Sequence, residues 1–307
     1  MTKHVHAYSY GRVRSRRRLL LAFSLTVSMF GAEFFGGILS NSLALIGDAG
    51  HMIMDSVALA VGVFAFKIAQ RPATKQRTYG FYRLEILAAL VNGILLVVVA
   101  FYVLFEAYHR FTGPAEVKAP LMLIIAVIGL SVNVSSLYIL WDARKENLNV
   151  KGAFTHVLSD AISSVGVIAA AVIIYFTRAF IVDALMGILI GGIILRSAFG
   201  LLSESGKVLL EAVPEEIDLE EVMREIEKVN GVQSVHDLHL WSISSGINAM
   251  SGHIVIDDQK VSKAEQISNK VTKLLKERFN IIHTTIQLEC KICKSPFTCS
   301  LAEEGKE

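Results

Sequence analysis

Cysteine is scarce in this 307-residue chain. There are three, an odd number and too few to staple a disulfide scaffold. Charge is thin as well: charged residues make up 19% against 53% hydrophobic, with mean hydropathy +0.50. That balance excludes intrinsic disorder and argues against a wholly soluble chain. The charge present is unevenly spread, with a net +8 over residues 1–202 and −6 over 203–307. The C-terminal part therefore lacks the basic face of a nucleic-acid binder. No zincin-type His-Glu-x-x-His occurs in the apolar part either, which leaves a membrane metalloenzyme a distant reading.

What is present is long apolar runs. Six stretches near the ~20 residues of a bilayer-spanning helix lie at 19–39, 43–69, 84–109, 120–141, 151–177 and 180–202. The first is too long for a signal-peptide core, contains Glu33 and lacks a small-x-small cleavage site, so it reads as a retained span. Fourteen Lys/Arg fall on one side, in the N-terminus, the 2–3 connection and the 4–5 connection. Three (Arg110, Lys118, Arg178) fall on the other. The positive-inside rule then places both termini in the cytoplasm of a multi-pass membrane protein, in a cell or a vesicle membrane alike.

Beyond the last span the periodicity changes. Residues 219–229 and 261–279 read as amphipathic helices, the latter through Val261, Ile267, Val271, Leu274 and Leu275. Residues 232–243, 247–257 and 281–289 read as strands, the first two joined by a Ser-Ser-Gly turn. The expected fold class is an α-helical membrane protein of six transmembrane helices followed by a small α+β cytoplasmic domain in the order αββαβ. Its expected domains are a basic N-terminus (1–18), a six-span membrane domain (19–206), a cytoplasmic α+β domain (207–290) and a polar tail (291–307).

Ionisable residues inside spans are costly and mark function. Span 2 holds His51 and Asp55, and span 5 holds His156 and Asp160. Each pair is His-x-x-x-Asp, one helical turn on one face. At 1.5 Å per residue, His51 and Asp55 lie roughly 12 and 18 Å from the outer face, and His156 and Asp160 roughly 8 and 14 Å from the inner one. In a core about 30 Å thick these levels overlap. Two imidazoles and two carboxylates make a tetrahedral N₂O₂ set suited to Zn²⁺, with Co²⁺ accepting similar ligands and the larger Cd²⁺ held less well. The bland alternative is helix-packing hydrogen bonds, which two matched pairs at matched depth disfavour. Asp48 faces a vestibule or lies near the interface. For Glu33, Asn92 and Asn133, gating or proton roles and interhelical hydrogen bonding stand equal.

At these residues the chain resembles a known family. Ser42–Asp55, Gly80–Ala89, His156–Asp160 and the tail segment His236–Trp241 are similar to motifs of cation diffusion facilitator transporters, in the branch of zinc and cobalt–zinc–cadmium resistance exporters. The likeness covers roughly 12–290. It implies a homodimer in the bilayer, exchange of Zn²⁺ for protons, and a metallochaperone-like cytoplasmic domain in which zinc is also a regulatory ligand. It favours His236, His253, His283 and Glu289 as cytoplasmic ligands. His239, three residues from His236, is expected on the opposite face of a regular strand. The resemblance also suggests a charge pair, Arg83 with Glu211, near the junction of membrane and tail. In some relatives an N-terminal His/Cys motif meets the tail, so His4, His6, Cys290 and Cys293 are either a joint metal site or a loose terminus with inert thiols. The 4–5 connection has no His, and Thr74–Thr78 has neither His nor acid, so no metal is expected there. The rival functional class is a membrane-anchored metal sensor or scaffold without transport.

The topology is testable. Cysteine introduced at Ser9 or Ser300 is expected to resist a membrane-impermeant thiol reagent on intact cells and react after lysis; labelling of intact cells at either position rules out the N-in, six-span arrangement.

Overall fold

The computed structural model describes residues 21, 24–69, 73–113, 115–141, 148–244 and 246–291. Within these, the side chains of 55, 58–60, 62–63, 65–67, 69 and 148–150 lie outside the description. His4, His6, Cys293 and the Asp55 side chain are thus outside the described residues.

The chain packs as two units, one made of residues up to Val61 with Val91–Leu201, the other of Gly62–Leu90 with the chain from Leu202 onward. The helices are α1 (Ser24–Ser40), α2 (Leu43–Ala69), α3 (Arg83–Thr112), α4 (Ala119–Leu140), α5 (Leu148–Thr177) and α6 (Ile181–Leu209). Among the described residues, α3, α4, α5 from Lys151 and α6 are long and apolar enough to cross a membrane; α1 and the Leu43–Met54 part of α2 are shorter. Helix α3 shows why a bilayer is the fitting solvent. Leu87, Val91, Ile94, Val98, Phe101, Phe105 and Tyr108 recur every three or four residues and are all exposed, while Leu96, Ala100, Val103 and Ala107 on the other side are buried. The large apolar face points outward and the small one inward, the reverse of a water-soluble helix.

Small residues set how closely the helices approach. A methyl group added to Gly50 of α2 would sit 2.8 Å from Val99 of α3, and one added to Gly47 would sit 3.2 Å from Ile190 of α6. Glycines three apart therefore let α2 lie against both neighbours. Around this contact Ala44, Leu45, Met52, Ala100, Met122, Ala126, Ala170, Ile174 and Ile194 form the first unit's core.

The second unit contains α7 (Leu219–Glu227), β1 (Val232–Ser244), β2 (Ile247–Ile256), α8 (Val261–Phe279) and β3 (Ile281–Glu289). Asp218 caps α7 by accepting the Glu220 N–H at 2.9 Å. Strands β1 and β2 form an antiparallel hairpin reversing at Gly246, whose φ of +73° suits glycine. Helix α8 then returns the chain so that β3 pairs parallel to β2, with sheet order β1-β2-β3. Asn280, with φ 54°, ends α8 in the left-handed conformation. Val222, Ile226, Met250, Ile254, Val271 and Leu275 interlock in a core shared by helices and sheet. Arg278 binds both Glu221 and Glu225, tying α8 to α7. The hydrogen bond from Lys228, with Arg278 close by, holds the Glu225 carboxyl below its ordinary range.

Candidate metal centre

In the first unit, α2 and α5 bring His51, His156 and Asp160 together. Each offers a ligand atom, and these atoms lie within 4.8 Å of one another. The imidazole centroids are 6.1 Å apart, inclined at 66°, and His156 Nε2 lies 3.6 Å from Asp160 Oδ2. Tetrahedral bonds of about 2.1 Å separate ligand atoms by about 3.4 Å, so these side chains need only small rotamer adjustments to share one cation. Asp55 follows one turn beyond His51 on α2, but its side chain is outside the description. Asp160 is buried while the two histidines are half-buried.

The polar residues around this trio are tied to helix packing. Asp48, one turn before His51, is buried and accepts the Ser163 hydroxyl of α5 at 2.9 Å. It joins α2 to α5 beside the trio. Asn133 of α4 donates to Ser164 at 3.3 Å, and Ser164 donates to the Asp160 carbonyl at 2.9 Å. Interhelical bonding is thus the role the structure gives Asn133. Glu33 of α1 is 1% exposed and packs against α4 at Gly129, where an added methyl would lie 2.7 Å from Glu33 Oε1.

The second cluster lies on the sheet. His236 of β1 and His253 of β2 are direct cross-strand partners, with ring centroids 5.2 Å apart. Glu289, near the end of β3, reaches both: its oxygens lie 3.2 Å from His236 Nε2 and 3.0 Å from His253 Nδ1. Gln287 donates to Glu289 at 2.7 Å. His283 is not part of this group within the chain. It stands six residues before Glu289 on the same strand, about 20 Å away at 3.3 Å per residue. There it pairs with Ala249 and meets Tyr79, whose hydroxyl lies 3.5 Å from His283 Nε2.

His239 also departs from expectation. The register runs His236↔His253, then His239↔Ser251, so three residues of β1 oppose two of β2. This is a β-bulge, which inserts one residue and flips the alternation. His236 and His239 consequently share a face. Asp237, at φ 49°, sits in the bulge with its carboxylate 3.7 Å from His253 and 3.2 Å from His239.

Residues 19–210 match the model of the cation efflux transmembrane domain, and residues 214–291 match that of the cation efflux protein cytoplasmic domain. The chain belongs to the cation efflux family. It is 44% identical to the cation efflux system protein CzcD of Alcaligenes sp. (strain CT14) over 95% of its length and 91% of that protein's. The cadmium, cobalt and zinc/H(+)-K(+) antiporter of Bacillus subtilis (strain 168) is 41% identical over 92% of this chain and 91% of its own. The zinc transporter ZitB of Escherichia coli (strain K12) is 37% identical over 98% and 96%. A solved structure, the metal-bound C-terminal domain of the CzcD transporter from Cuprividus metallidurans, is 37% identical over 24% of this chain and 99% of its own, with a TM-score of 0.22. The cation efflux family is one of transporters, not enzymes.

In this cation efflux protein, sequence reasoning missed a buried ion pair. Hydropathy places Arg110 in the connection after span 3, yet α3 continues to Thr112 and the Arg110 guanidinium is buried against Asp183 of α6 at 3.0 Å. The available signal was an acid in span 6 and a base near the end of span 3, at the same end of the bundle. Arg83 and Glu211 do meet, at 2.6 Å, with side chains 41% and 56% exposed. Cys290 is exposed just after β3.

An exposed pair is worth about 0–1 kcal/mol in stability, so any effect of the Arg83–Glu211 contact on transport comes through orientation rather than stability. Arg83→Glu and Glu211→Lys are each expected to lower zinc flux in proteoliposomes, and the double exchange to recover part of it. Absence of recovery counts against a functional pairing.

Proposed function

We propose that this protein is an integral membrane antiporter that moves Zn²⁺ out of the cytoplasm in exchange for H⁺, through a site of His51, Asp55, His156 and Asp160. The observation that carries this reading is the convergence of His51, His156 and Asp160 from two apolar helices. A structural set of hydrogen bonds has no need of two imidazoles and a buried carboxylate aimed at one point. Imidazole binds metal only when neutral and carboxylate only when ionised, so cation and protons compete for the same atoms. Exposing the site alternately to the two sides turns that competition into exchange. The relatives' names agree in kind, naming cadmium, cobalt and zinc as cargo. The Bacillus name adds K⁺ beside H⁺ as counter-ion.

The finer reading has six spans, both termini in the cytoplasm of a prokaryotic cell membrane, and a homodimer. Zinc on His236, His253 and Glu289 serves as a regulatory ligand that ties all three strands. His4, His6, Cys290 and Cys293 stay a candidate joint site. The sensor or scaffold reading rests on the sheet cluster, and flux separates it from transport.

In proteoliposomes with an imposed pH gradient, the wild type is expected to accumulate Zn²⁺ with and without K⁺. His51→Ala and Asp160→Ala should each abolish uptake, since loss of a ligand leaves the cation under-neutralised in a low-dielectric span. Raising the proton concentration on the metal-loading side should raise the zinc KM. Wild-type uptake in Asp160→Ala would falsify the site, and no uptake by the wild type would favour the sensor.

For the sheet cluster, His236→Ala with Glu289→Ala should remove one zinc per chain from the purified protein. It should also remove the zinc-dependent stabilisation of the cytoplasmic domain, about 2.7 kcal/mol at 100 times the dissociation constant. An unchanged zinc count and melting transition would exclude these residues as ligands.

A further inference from the structure

The Asp183 carboxylate is the most completely enclosed acid in the described helical unit, at 0% exposure. It accepts four hydrogen bonds: Ser42 Oγ at 2.6 Å, the Leu43 N–H at 2.7 Å, the Ala44 N–H at 3.2 Å and Arg110 Nη1 at 3.0 Å. Leu43 and Ala44 open α2. A helix begins with N–H groups that have no intrahelical acceptor, usually satisfied by a residue just before it. Here Ser42 caps the Leu45 N–H at 3.3 Å while donating to Asp183, and α6, through Asp183 from 140 residues away, takes the Leu43 and Ala44 N–H groups that Ser42 leaves over. The carboxylate also meets the positive end of the α2 dipole.

Arg110 completes the arrangement. Its guanidinium binds the Asn41 carbonyl at 2.7 Å, Asn41 Oδ1 at 3.1 Å and Glu106 at 3.1 Å, besides Asp183. Asn41, at φ 57°, is the turn residue between α1 and α2, and its amide donates to the Glu116 carbonyl of the 3–4 connection at 3.1 Å. One charge pair therefore fixes the first turn of α2 to α3 and α6, and through Asn41 to the approach to α4. This lies at the end of the bundle remote from the 2–3 and 4–5 connections.

We propose that Asp183 and Arg110 are positioning residues for transport: together they anchor the start of α2 and so set the height and rotation of His51. The inference rests on the reading of His51, Asp55, His156 and Asp160 as the transport site. His51 lies eight residues from Leu43, about 12 Å along a rigid helix, so a slip at the anchor is passed on to the ligand undiminished. The rival role for a buried acid here is to carry an ion itself, as a proton or metal site at the exit.

The two roles part in one experiment on the full-length protein in proteoliposomes, normalised to membrane-inserted transporter. Asp183→Ala leaves Arg110 without its buried acid and the Leu43 and Ala44 N–H groups without their acceptor. It is expected to raise the zinc KM about 10-fold or more, the range typical when outer partners of metal ligands are lost. Asp183→Asn with Arg110→Gln keeps a capping side-chain oxygen and donors toward Asn41 while removing both charges. It is expected to recover most of that loss, and Asp183→Asn alone is not. A double variant as impaired as Asp183→Asn alone overturns the anchor, because the charge itself would then be in use. So does a wild-type KM in Asp183→Ala when His51→Ala abolishes flux. Wild-type flux in His51→Ala overturns the site reading, and the anchor with it.

Discussion

A carboxylate enclosed by packed helices costs several kcal/mol unless hydrogen bonds or an opposite charge compensate it. The described helical unit contains four such acids, and its architecture follows from how each is accommodated. Asp183 has a guanidinium, a hydroxyl and two backbone N–H groups. Asp48 has the Ser163 hydroxyl. Glu33 is pressed against Gly129, where no side chain intervenes. Asp160 faces His156, whose partnership with a carboxylate and a second imidazole suits a divalent cation. The acids thus range from Asp183, compensated by four donors, to Asp160, which shares its surroundings with two imidazoles.

The sheet handles the same chemistry by different means. Cross-strand pairing puts His236 opposite His253, and parallel addition of β3 brings Glu289 alongside. A hairpin alone would hold two imidazoles; the return through α8 supplies the carboxylate. The bulge at Asp237 adds a second acid close to His253. Three strands contribute to one cluster, so a bound cation would fix their mutual register, which gives physical content to a regulatory role.

Much of this was legible because helical and strand periodicities are local. The His-x-x-x-Asp repeats in two apolar runs pointed to His51, His156 and Asp160, and the shift in charge at residue 203 separated the apolar helical part from the part that carries the sheet. The failures came where structure is non-local or irregular. His283 shares a strand and a face with Glu289, but alternation carries no information about distance along the strand. His239 was assigned to the wrong face because a bulge leaves no periodic trace. Hydropathy ends the third span at His109 and leaves Arg110 outside it, whereas the helix continues to Thr112 with Arg110 buried against an acid 73 residues on. A cap supplied by a distant helix has no sequence signature at the helix it caps, since Ser42 there is an ordinary capping residue.

Ligand type alone does not define which metal such a site prefers. Two imidazoles and two carboxylates suit Zn²⁺ but also Co²⁺, and they accept Cd²⁺ at longer bonds. Discrimination among these ions then depends on how firmly α2 and α5 resist spreading. On α2 the resistance comes from two sources of different range. Gly47 and Gly50 allow backbone-close packing on Ile190 and Val99 at the level of the site, and the Asp183–Arg110 pair holds the start of the helix. Packing opposes lateral movement, because any shift toward α3 meets atoms already in contact. It opposes sliding along the axis far less, since apolar surfaces in contact can exchange partners at small cost. A directional, charge-assisted cap opposes sliding most strongly. The two constraints are complementary: the glycine contacts hold α2 sideways, and the charge pair holds its start along the axis.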